Sequence, residues 1–237
     1  MEGYTVNNLS MTFVDRGNDF EVLKGVSFSW TSNKNIGIMG ESGSGKSTLA
    51  KILLGLYKPT SGEVMFNGEN INQWNSNQWK AKRKTIQAVF QDASGTLNNA
   101  LSVKKNMEEP MRNLTRLNKK RRSEIILDLM KKTNTDLSLL RRKTANLSGG
   151  EQRKLSIIRA LSVQPKFLIF DEITAGLDVE SKKEIIKTLR QFNEKRGNSY
   201  LVITHDIDFA KKICDEIYIM KEGKFIKKGY MEGEYNV

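Results

Sequence analysis

The sequence predicts an α/β fold built around a mostly parallel sheet, and three segments carry this prediction. The first is a glycine-rich stretch, GESGSGKS, which stands between a short apolar run and a helical pattern. The other two are the apolar runs FLIF at 167–170 and YLVI at 200–203, which flank a predicted helix from about 179 to 196. Runs that are apolar at every position are typical of parallel strands buried on both faces. A strand, a helix and a second strand in this order form a parallel crossover.

The composition is that of one large domain, or of one domain with a subdomain. A chain of 237 residues can bury a substantial core, and 38% hydrophobic with 28% charged residues is typical of soluble globular proteins. No apolar run approaches the roughly 20 residues needed to span a bilayer, and the N-terminus does not resemble a signal peptide. The single cysteine, Cys214, excludes an internal disulfide and a zinc site with several cysteines. We therefore expect a cytoplasmic location.

The charge balance is strongly basic, with a formal net charge of +12 and an isoelectric point near 9.6. Nucleic acid, a phosphate-rich small molecule or an anionic membrane surface would each suit such a chain. Solubility alone explains the charge equally well. The charge therefore does not choose between these partners.

Residues 40–47 form the clearest motif of the chain. Their sequence fits G-x-x-x-x-G-K-[ST], a loop whose backbone N–H groups surround phosphate oxygens at the start of a helix. Lys46 supplies a cation for the β- and γ-phosphates, and the Ser47 hydroxyl is a ligand for Mg²⁺. The residues predicted to bind nucleotide are Gly40, Glu41, Ser42, Gly43, Ser44, Gly45, Lys46, Ser47 and Thr48.

The flanks of this loop agree with the motif. The apolar residues 36–39 predict a strand before the loop, and a helix with one buried face is predicted after it. That buried face is predicted to consist of Leu49, Ile52, Leu53 and Leu56. A strand, a glycine-rich turn and a helix are the structural context that a phosphate loop requires.

Two carboxylates end the apolar run at 167–170. Asp171 and Glu172 cannot stay buried without partners, so we expect them to emerge at the C-terminal edge of the sheet. Ligands bind at this edge in open α/β folds. Asp171 is placed there to orient Mg²⁺, and Glu172 is a candidate base for the water that attacks the phosphate. His205, the only histidine, follows the next strand and is expected at the same edge.

The segment LSGGE at 147–151, which leads into a basic helix, completes a set of motifs typical of one family. The chain resembles the nucleotide-binding subunits of ATP-binding cassette (ABC) transporters, whose signature reads LSGGQ. The phosphate loop, Gln91 in AVFQD, the signature, the carboxylate pair and His205 follow one another in the family's order. The resemblance covers nearly the whole chain, from Phe13 to His205.

The resemblance implies a role for each matching residue. Phe13 would stack on the adenine ring, where the family more often has tyrosine. Gln91 would contact Mg²⁺ or its water and connect the site to a transmembrane partner. Glu172 matches the family's catalytic carboxylate. His205 matches the histidine that contacts the γ-phosphate and holds the hydrolytic geometry.

The resemblance also implies that ATP lies between two protomers. The residues expected to act on the partner's side are Ser148, Gly149, Gly150, Glu151 and Asp178. Asp178, in AGLD, would cross the dimer interface, and the signature would face the phosphate loop of the other protomer. A second helix N-terminus then completes the electrostatic cage around the γ-phosphate. Glu151 stands where the family has glutamine, and this change removes no group needed for hydrolysis.

The fold that the resemblance implies is a P-loop NTPase core with a mostly parallel sheet, an N-terminal antiparallel β-subdomain and an inserted α-helical subdomain. Residues 1–237 would form a single ABC ATPase domain. Its RecA-like core and β-subdomain would occupy about 1–90 and 160–237, and its helical subdomain about 91–159.

The implied function is that of the ATP-hydrolysing subunit of an importer, with ATP and Mg²⁺ as cofactors. The segments FQDASGTLNNALSVKKNMEEPM and DEITAGLDV are most similar to the peptide/nickel class of importers. The implied partners are a second ATPase protomer (identical or a sister subunit), two transmembrane permease subunits and, indirectly, an extracytoplasmic solute-binding protein. The expected location is the cytoplasmic face of the cell membrane, and the cargo remains undetermined.

Two other interpretations compete with the importer. An ABC-type ATPase acting on nucleic acid or ribosomes would suit the charge of +12. That class normally carries a long coiled-coil insertion, zinc modules or two cassettes, none of which this sequence predicts, so we expect no nucleic-acid partner. An unrelated kinase with a phosphate loop would leave LSGGE and AGLD without a role.

Overall fold

Two β-sheets organise the chain. The computed structural model describes residues 2–15, 17–91 and 96–230, without the side chains of 194–196 and 230. The strands are β1 Gly3–Asp15, β2 Asn18–Thr31, β3 Ile36–Met39, β4 Ser61–Phe66, β5 Glu69–Asn70, β6 Ile86–Val89, β7 Phe167–Asp171, β8 Ser199–Ile203, β9 Glu216–Lys221 and β10 Lys224–Tyr230. The α-helices are α1 Lys46–Leu53, α2 Ser76–Lys82, α3 Val103–Leu114, α4 Lys119–Lys132, α5 Gly149–Leu161, α6 Val179–Arg196 and α7 Ile207–Ile213.

The larger sheet has the strand order β10-β9-β3-β8-β7-β6. Every pairing from β9 to β6 is parallel, and only β10 runs antiparallel to its neighbour. The predicted strand, helix and strand from 167 to 203 are present as β7, α6 and β8, with β7 and β8 as parallel neighbours. The carboxyl ends of β3, β6, β7 and β8 consequently meet at one edge of the sheet.

The smaller sheet, with the order β2-β1-β4-β5, is antiparallel. All of its strands lie within the first 70 residues, so the predicted N-terminal antiparallel unit is present. Helices α3, α4 and most of α5 fall within the predicted helical subdomain, of which residues 92–95 lie outside the described part of the chain. The α/β fold class is therefore confirmed.

The parallel sheet separates two hydrophobic cores, which explains its uniformly apolar strands. In β7, Leu168 and Phe170 pack into the core formed with the helices α3 to α6. Phe167 and Ile169, which alternate with them, pack into the core shared with α1 and the antiparallel sheet. Successive side chains of a strand point to opposite faces, so each face of β7 needs its own apolar set.

One part of the predicted helix after the phosphate loop is wrong. Helix α1 ends at Leu53, and Leu56, predicted on its buried face, is 51% exposed. Gly55 adopts the left-handed conformation with a φ of 67°, and the Leu56 N–H donates to the Lys51 carbonyl at 2.8 Å. A left-handed glycine with this hydrogen bond ends a helix and turns the chain outward.

Two further observations complete the fold. Cys214 is buried and unpaired, and burial raises the pKa of its thiol, with a smaller contribution from Asp215. Within the described residues, no helix combines the length and the apolar character that crossing a membrane requires.

Candidate functional site

A cleft of about 630 Å³ lies at the sheet edge where β3, β6, β7 and β8 end. Its volume lies within the range of small-molecule sites, about 300–1,000 Å³. The residues that line it are Val22, Gly40, Glu41, Ser42, Gly43, Gly45, Lys46, Ser47, Thr48, Gln91, Glu172, Ala175 and His205. Residues far apart in sequence meet here because the parallel strands deliver their following loops to one edge.

The phosphate loop has a backbone that only glycine permits at two positions. Gly40 and Gly45 have φ values of 154° and 106°. A Cβ atom at Gly40 would lie 2.0 Å from the Met220 carbonyl oxygen, and one at Gly45 would lie 2.7 Å from that of Val22. The loop ends at Lys46, the first residue of α1, so the positive end of the helix dipole faces the cleft.

Lys46 is buried at the base of the loop. Its Nζ atom donates hydrogen bonds of 2.7 Å to the carbonyl oxygens of Gly40 and Glu41. Burial lowers the pKa of Lys46, while Glu172 and Asp171 act in the opposite direction. An ammonium group held by loop carbonyls is already positioned beside the space that the loop encloses.

Asp171 lies at the C-terminal end of β7, at the predicted sheet edge, but it is buried there rather than exposed. It is the last residue of β7 and is 6% exposed. Its partner is the Ser47 hydroxyl at the start of α1, which donates to the carboxylate. Burial raises the pKa of Asp171, and the Ser47 hydrogen bond opposes this shift. Its Oδ1 atom has no hydrogen-bond partner among the described residues.

Glu172 and His205 meet at the mouth of the cleft. The Nδ1 atom of His205 lies 2.9 Å from Oε2 of Glu172, with the imidazole largely exposed. Glu172 has a φ of 51°, a left-handed conformation that costs a residue with a side chain about 1–3 kcal/mol. Its N–H donates to the Ile203 carbonyl at 2.9 Å, which ties the turn after β7 to the end of β8. Such strain is typical of functional sites.

Gln91 and Phe13 have different positions relative to the cleft. Gln91 lines the cleft and is exposed, two residues after the end of β6. Phe13, on β1, does not belong to the lining residues, and its ring packs edge-on against Tyr57 at 5.5 Å between centroids. Val22, on the neighbouring strand β2, lines the cleft instead.

The signature residues lie on a separate, exposed surface. Ser148 is the N-cap of α5, and its Oγ atom accepts a hydrogen bond of 3.2 Å from the Glu151 N–H. The Glu151 carboxylate accepts one of 2.8 Å from the Ser148 N–H, which completes a capping box. The Glu151 carboxylate thus provides a hydrogen-bond acceptor for a backbone N–H group at the start of its own helix. Ser148, Gly149, Gly150 and Glu151 are absent from the described lining of the cleft.

Asp178 lies beside the signature in the same protomer. It is the N-cap of α6 and accepts hydrogen bonds of 2.8 Å from both the N–H and the hydroxyl of Ser181. These bonds lower the pKa of Asp178. A Cβ atom on Gly150 would lie 3.2 Å from the Ser181 hydroxyl, so the starts of α5 and α6 are packed closely together. Signature and Asp178 therefore form one surface.

Three residues at or near the cleft were missed by the sequence reasoning. Val22 and Ala175 line it without a motif that could have revealed them. Arg153, one turn into α5, is buried and donates to the backbone of Phe90 and Glu172. The sequence signal for Arg153 is an arginine shortly after the signature. The basic character of this helix alone does not distinguish that arginine from an exposed one.

A phosphate loop after β3, a buried aspartate at the end of β7 and an acid–histidine pair at the same sheet edge define a P-loop nucleoside triphosphatase. The family model described as "ABC transporter" matches residues 23–175. The chain therefore belongs to the ABC transporter family. It is an ATP-binding subunit of an ABC transporter and an ATP hydrolase of the ABC type.

The most similar relatives named here are nickel import proteins. The nickel import ATP-binding protein NikE of Brucella suis is 36% identical over 207 residues, covering 87% of this chain and 78% of that protein. NikE of Escherichia coli K12 is 35% identical over 206 residues, covering 87% of this chain and 77% of its own.

Solved structures agree with this assignment. The ATP-binding cassette MJ0796, dimeric in a post-hydrolysis state with ADP and Pi, superimposes with a TM-score of 0.89 at 29% identity, covering 98% of this chain and 100% of that one. CbiO1 from Clostridium perfringens, part of the ABC transporter complex cbiONQ, gives a TM-score of 0.85 at 30% identity, with coverages of 98% and 90%.

Proposed function

We propose that the chain powers an importer of the peptide/nickel class, which takes up a peptide, nickel or a metal chelate through separate membrane subunits. The observation that carries this proposal is the 36% identity to a nickel import ATPase across 87% of the chain. The proposed location is the cytoplasmic face of the membrane, with an extracytoplasmic binding protein delivering the solute. The chain itself does not contact the cargo.

In the proposed reaction, the phosphate loop holds ATP and a water molecule attacks the γ-phosphate. Glu172 would accept the proton of that water, and His205, 2.9 Å from the Glu172 carboxylate, would contact the γ-phosphate. Lys46 would neutralise charge that builds up on the phosphate oxygens. Gln91, which is exposed two residues after β6, would transmit conformational changes of the site to a membrane subunit.

The residues present fit Mg²⁺, which prefers oxygen ligands. Ser47 donates a hydrogen bond to the Asp171 carboxylate, and the Oδ1 atom of Asp171 has no hydrogen-bond partner among the described residues. A buried carboxylate oxygen without a partner is costly unless a cation compensates it. We propose that Ser47, Asp171 and Gln91 would hold the ion directly or through water, and that the ion would supply positive charge to offset the negative charge of the phosphate groups.

The signature surface supports a second protomer as the partner in the reaction. Ser148, Gly149, Gly150, Glu151 and Asp178 are proposed to complete the site of the other protomer. The dimeric state of the related cassette MJ0796 supports this arrangement. Phe13 is proposed to meet the adenine ring at the outer end of the cleft, beyond Val22.

A groove of about 750 Å³ beside the α3–α4 connection is proposed to receive the permease. Its lining includes the exposed cations Lys84, Arg116 and Arg121, of which Arg121 also pairs with Glu124 at 3.0 Å, together with the partly buried Leu114 and Leu117. Mixed apolar and basic lining suits a short acidic segment of a membrane subunit. Reversing the charge of Arg116 and Arg121 together is expected to abolish co-purification with the permease and to preserve ATP binding.

The decisive experiment is affinity purification of the tagged chain from detergent-solubilised membranes of its own host, followed by identification of the bound proteins. We expect two permease subunits and a second ATPase protomer. In proteoliposomes with the associated solute-binding protein, turnover should rise with the correct solute, tested with Ni²⁺, a nickel chelate and short peptides. Recovery with ribosomes or nucleic acid, in a salt-dependent manner and without a permease, would contradict the proposal.

A further inference from the structure

Arg153 occupies a central position between the signature and the catalytic edge of the sheet. It lies on α5 about one turn after Gly150, and it is only 8% exposed. A guanidinium group cannot lose its charge in a protein, so its burial requires acceptors that hold it in place. Two of those acceptors are backbone carbonyls at the ends of neighbouring strands.

The Nη1 atom of Arg153 donates to both carbonyls. It lies 3.4 Å from the Phe90 carbonyl oxygen and 3.3 Å from that of Glu172. Both distances are longer than the usual range of about 2.7–3.2 Å for N–H···O bonds, and the two N–H groups of Nη1 provide one donor for each acceptor. Phe90 immediately precedes Gln91, and Glu172 is the proposed base. One side chain therefore contacts the backbone at both catalytic loops.

The backbone of Glu172 has an unfavourable conformation, so it needs more support from surrounding contacts than an ordinary turn does. Its left-handed φ of 51° must be imposed by the surroundings. Its N–H is fixed by the Ile203 carbonyl at 2.9 Å, and its carbonyl accepts from the Ala175 N–H at 3.1 Å. Arg153 adds a side-chain hydrogen bond to that carbonyl from the signature helix.

We propose that Arg153 is a positioning residue. It couples the position of the signature helix to the orientation of Glu172 and of the Gln91 loop. This inference rests on the proposed role of Glu172 as the base. When α5 moves, the shared donor moves both carbonyls together. The phosphate loop, which follows a different strand, contributes nucleotide affinity independently of this contact.

The test compares Arg153→Met with the unchanged full-length chain in steady-state ATP turnover, ATP affinity and thermal unfolding. We expect kcat to fall on the order of 10²-fold, the effect of misplacing a reacting group by about 1 Å. KM and the affinity for ATP should stay within about threefold, because the loop contacts remain. Normal kcat in a folded Arg153→Met protein would overturn the proposal.

Arg153→Lys provides a graded second variant. It keeps the buried charge but loses the planar fork that spans two acceptors. We expect an intermediate loss in kcat of about tenfold, with unfolding close to that of the unchanged chain. If Arg153→Met fails to fold, this variant carries the test, and full turnover of Arg153→Lys would then overturn the proposal.

Arg159→Met is the matched control on the same helix. Arg159 donates to the Asn106 carbonyl at 3.2 Å and pairs with Glu109 at 2.5 Å, so it also joins α5 to a backbone carbonyl. Its contacts lie within the helical subdomain, away from Gln91 and Glu172. We expect a loss of thermal stability with kcat within about twofold of normal. A kcat loss equal to that of Arg153→Met would show a merely structural role for both.

A double variant separates failure of this inference from failure of the proposed function. In a Glu172→Gln background, Arg153→Met should reduce the residual single-turnover rate little further, because both changes act on one group. A further loss of 10²-fold would overturn the coupling. If Glu172→Gln itself hydrolyses normally, the proposed base is wrong and the inference falls with it. If Glu172→Gln is inactive and Arg153→Met is normal, only the inference is wrong.

Discussion

The phosphate-loop cleft and the signature surface are organised in opposite ways. In the cleft, the polar side chains contact one another or backbone carbonyls of the same protomer: Lys46 contacts the loop carbonyls, Asp171 contacts Ser47, and His205 contacts Glu172. On the signature surface, the side chains of Ser148 and Glu151 accept hydrogen bonds from backbone N–H groups at the start of their own helix. Both residues remain at least partly exposed. The first region is assembled within one protomer, whereas the second has its polar groups satisfied and its surface free for a partner. Substitutions in the two regions should therefore impair the protein in different ways. Those in the cleft should act within one protomer, and those on the signature surface should act on the contact with a partner.

Replacing Glu172 with glutamine is expected to have the largest effect. Without the proposed base, ATP turnover should fall about 10³-fold, while ATP affinity is retained because the phosphate loop is untouched. The protein should accumulate as an ATP-bound dimer, since in the proposed cycle hydrolysis separates the two protomers. Radiolabelled phosphate release and size-exclusion chromatography with ATP would measure both effects. Turnover at the normal rate would remove Glu172 from the reaction.

Gly149→Glu addresses the signature surface with little effect on the fold. A Cβ atom at Gly149 meets no heavy atom within 4 Å of the described structure, and the side chain would point into open space. We expect monomer ATP affinity and thermal unfolding to stay normal, while dimerisation fails and turnover falls about 10²-fold, as when one charge-stabilising donor is lost. The measurement is ATP titration of the monomer beside ATP-dependent dimerisation. Normal turnover would show that the signature does not act across an interface.

His205→Ala should have a smaller effect within the assembled cleft. A hydrogen bond to a charged group contributes about 2 kcal/mol, which corresponds to about 30-fold in rate. Turnover should fall by that factor, while ATP affinity remains largely intact because His205 lies at the mouth of the cleft. Single-turnover hydrolysis at saturating ATP separates the two quantities. A collapse of ATP affinity with normal turnover of the bound nucleotide would contradict the proposed role.

The smallest effect on activity is expected at Glu216, far from both regions. Its buried carboxylate pairs with Lys34 and Lys228. Burial raises the pKa of Glu216, but the bonds from Lys228 and Lys34 outweigh it, so the net pKa is lowered from 4.5. The stability that it adds is therefore present above about pH 4.5 and is lost as the pH falls through the lower folded value.

Glu216→Gln should reduce the free energy of unfolding at pH 7 by about 2 kcal/mol without changing turnover. The difference from the unchanged chain should narrow as the pH falls below the folded pKa. Glu180→Gln is the control, since Glu180 forms an exposed pair with Lys183 and should change little. Denaturant unfolding across pH would measure both variants, and a pH-independent difference would contradict the assigned ionic role.

The sequence predicted the elements whose signal is local. The strand at 167–171, the strand at 199–203 and the helix 179–196 follow from continuous apolar runs and from a capping glycine at Gly197. The phosphate loop follows from its own spacing. The burial of Asp171 was missed, because its partner Ser47 lies more than a hundred residues earlier. The position of Arg153 was missed for the same reason, since its acceptors lie 63 and 19 residues away. Contacts of this range depend on the packing of whole elements.

The single cysteine of the chain has a practical value for work on the dimer. Cys214 is buried, and its thiol has a raised pKa, so little reactive thiolate forms near neutral pH. Cysteines introduced at exposed positions outside the cleft, such as Leu56 after α1 and Val179 beside Asp178, could be labelled selectively without removing the native one. Spectroscopic distances or crosslinks between two such positions would then test whether two protomers approach and separate during turnover.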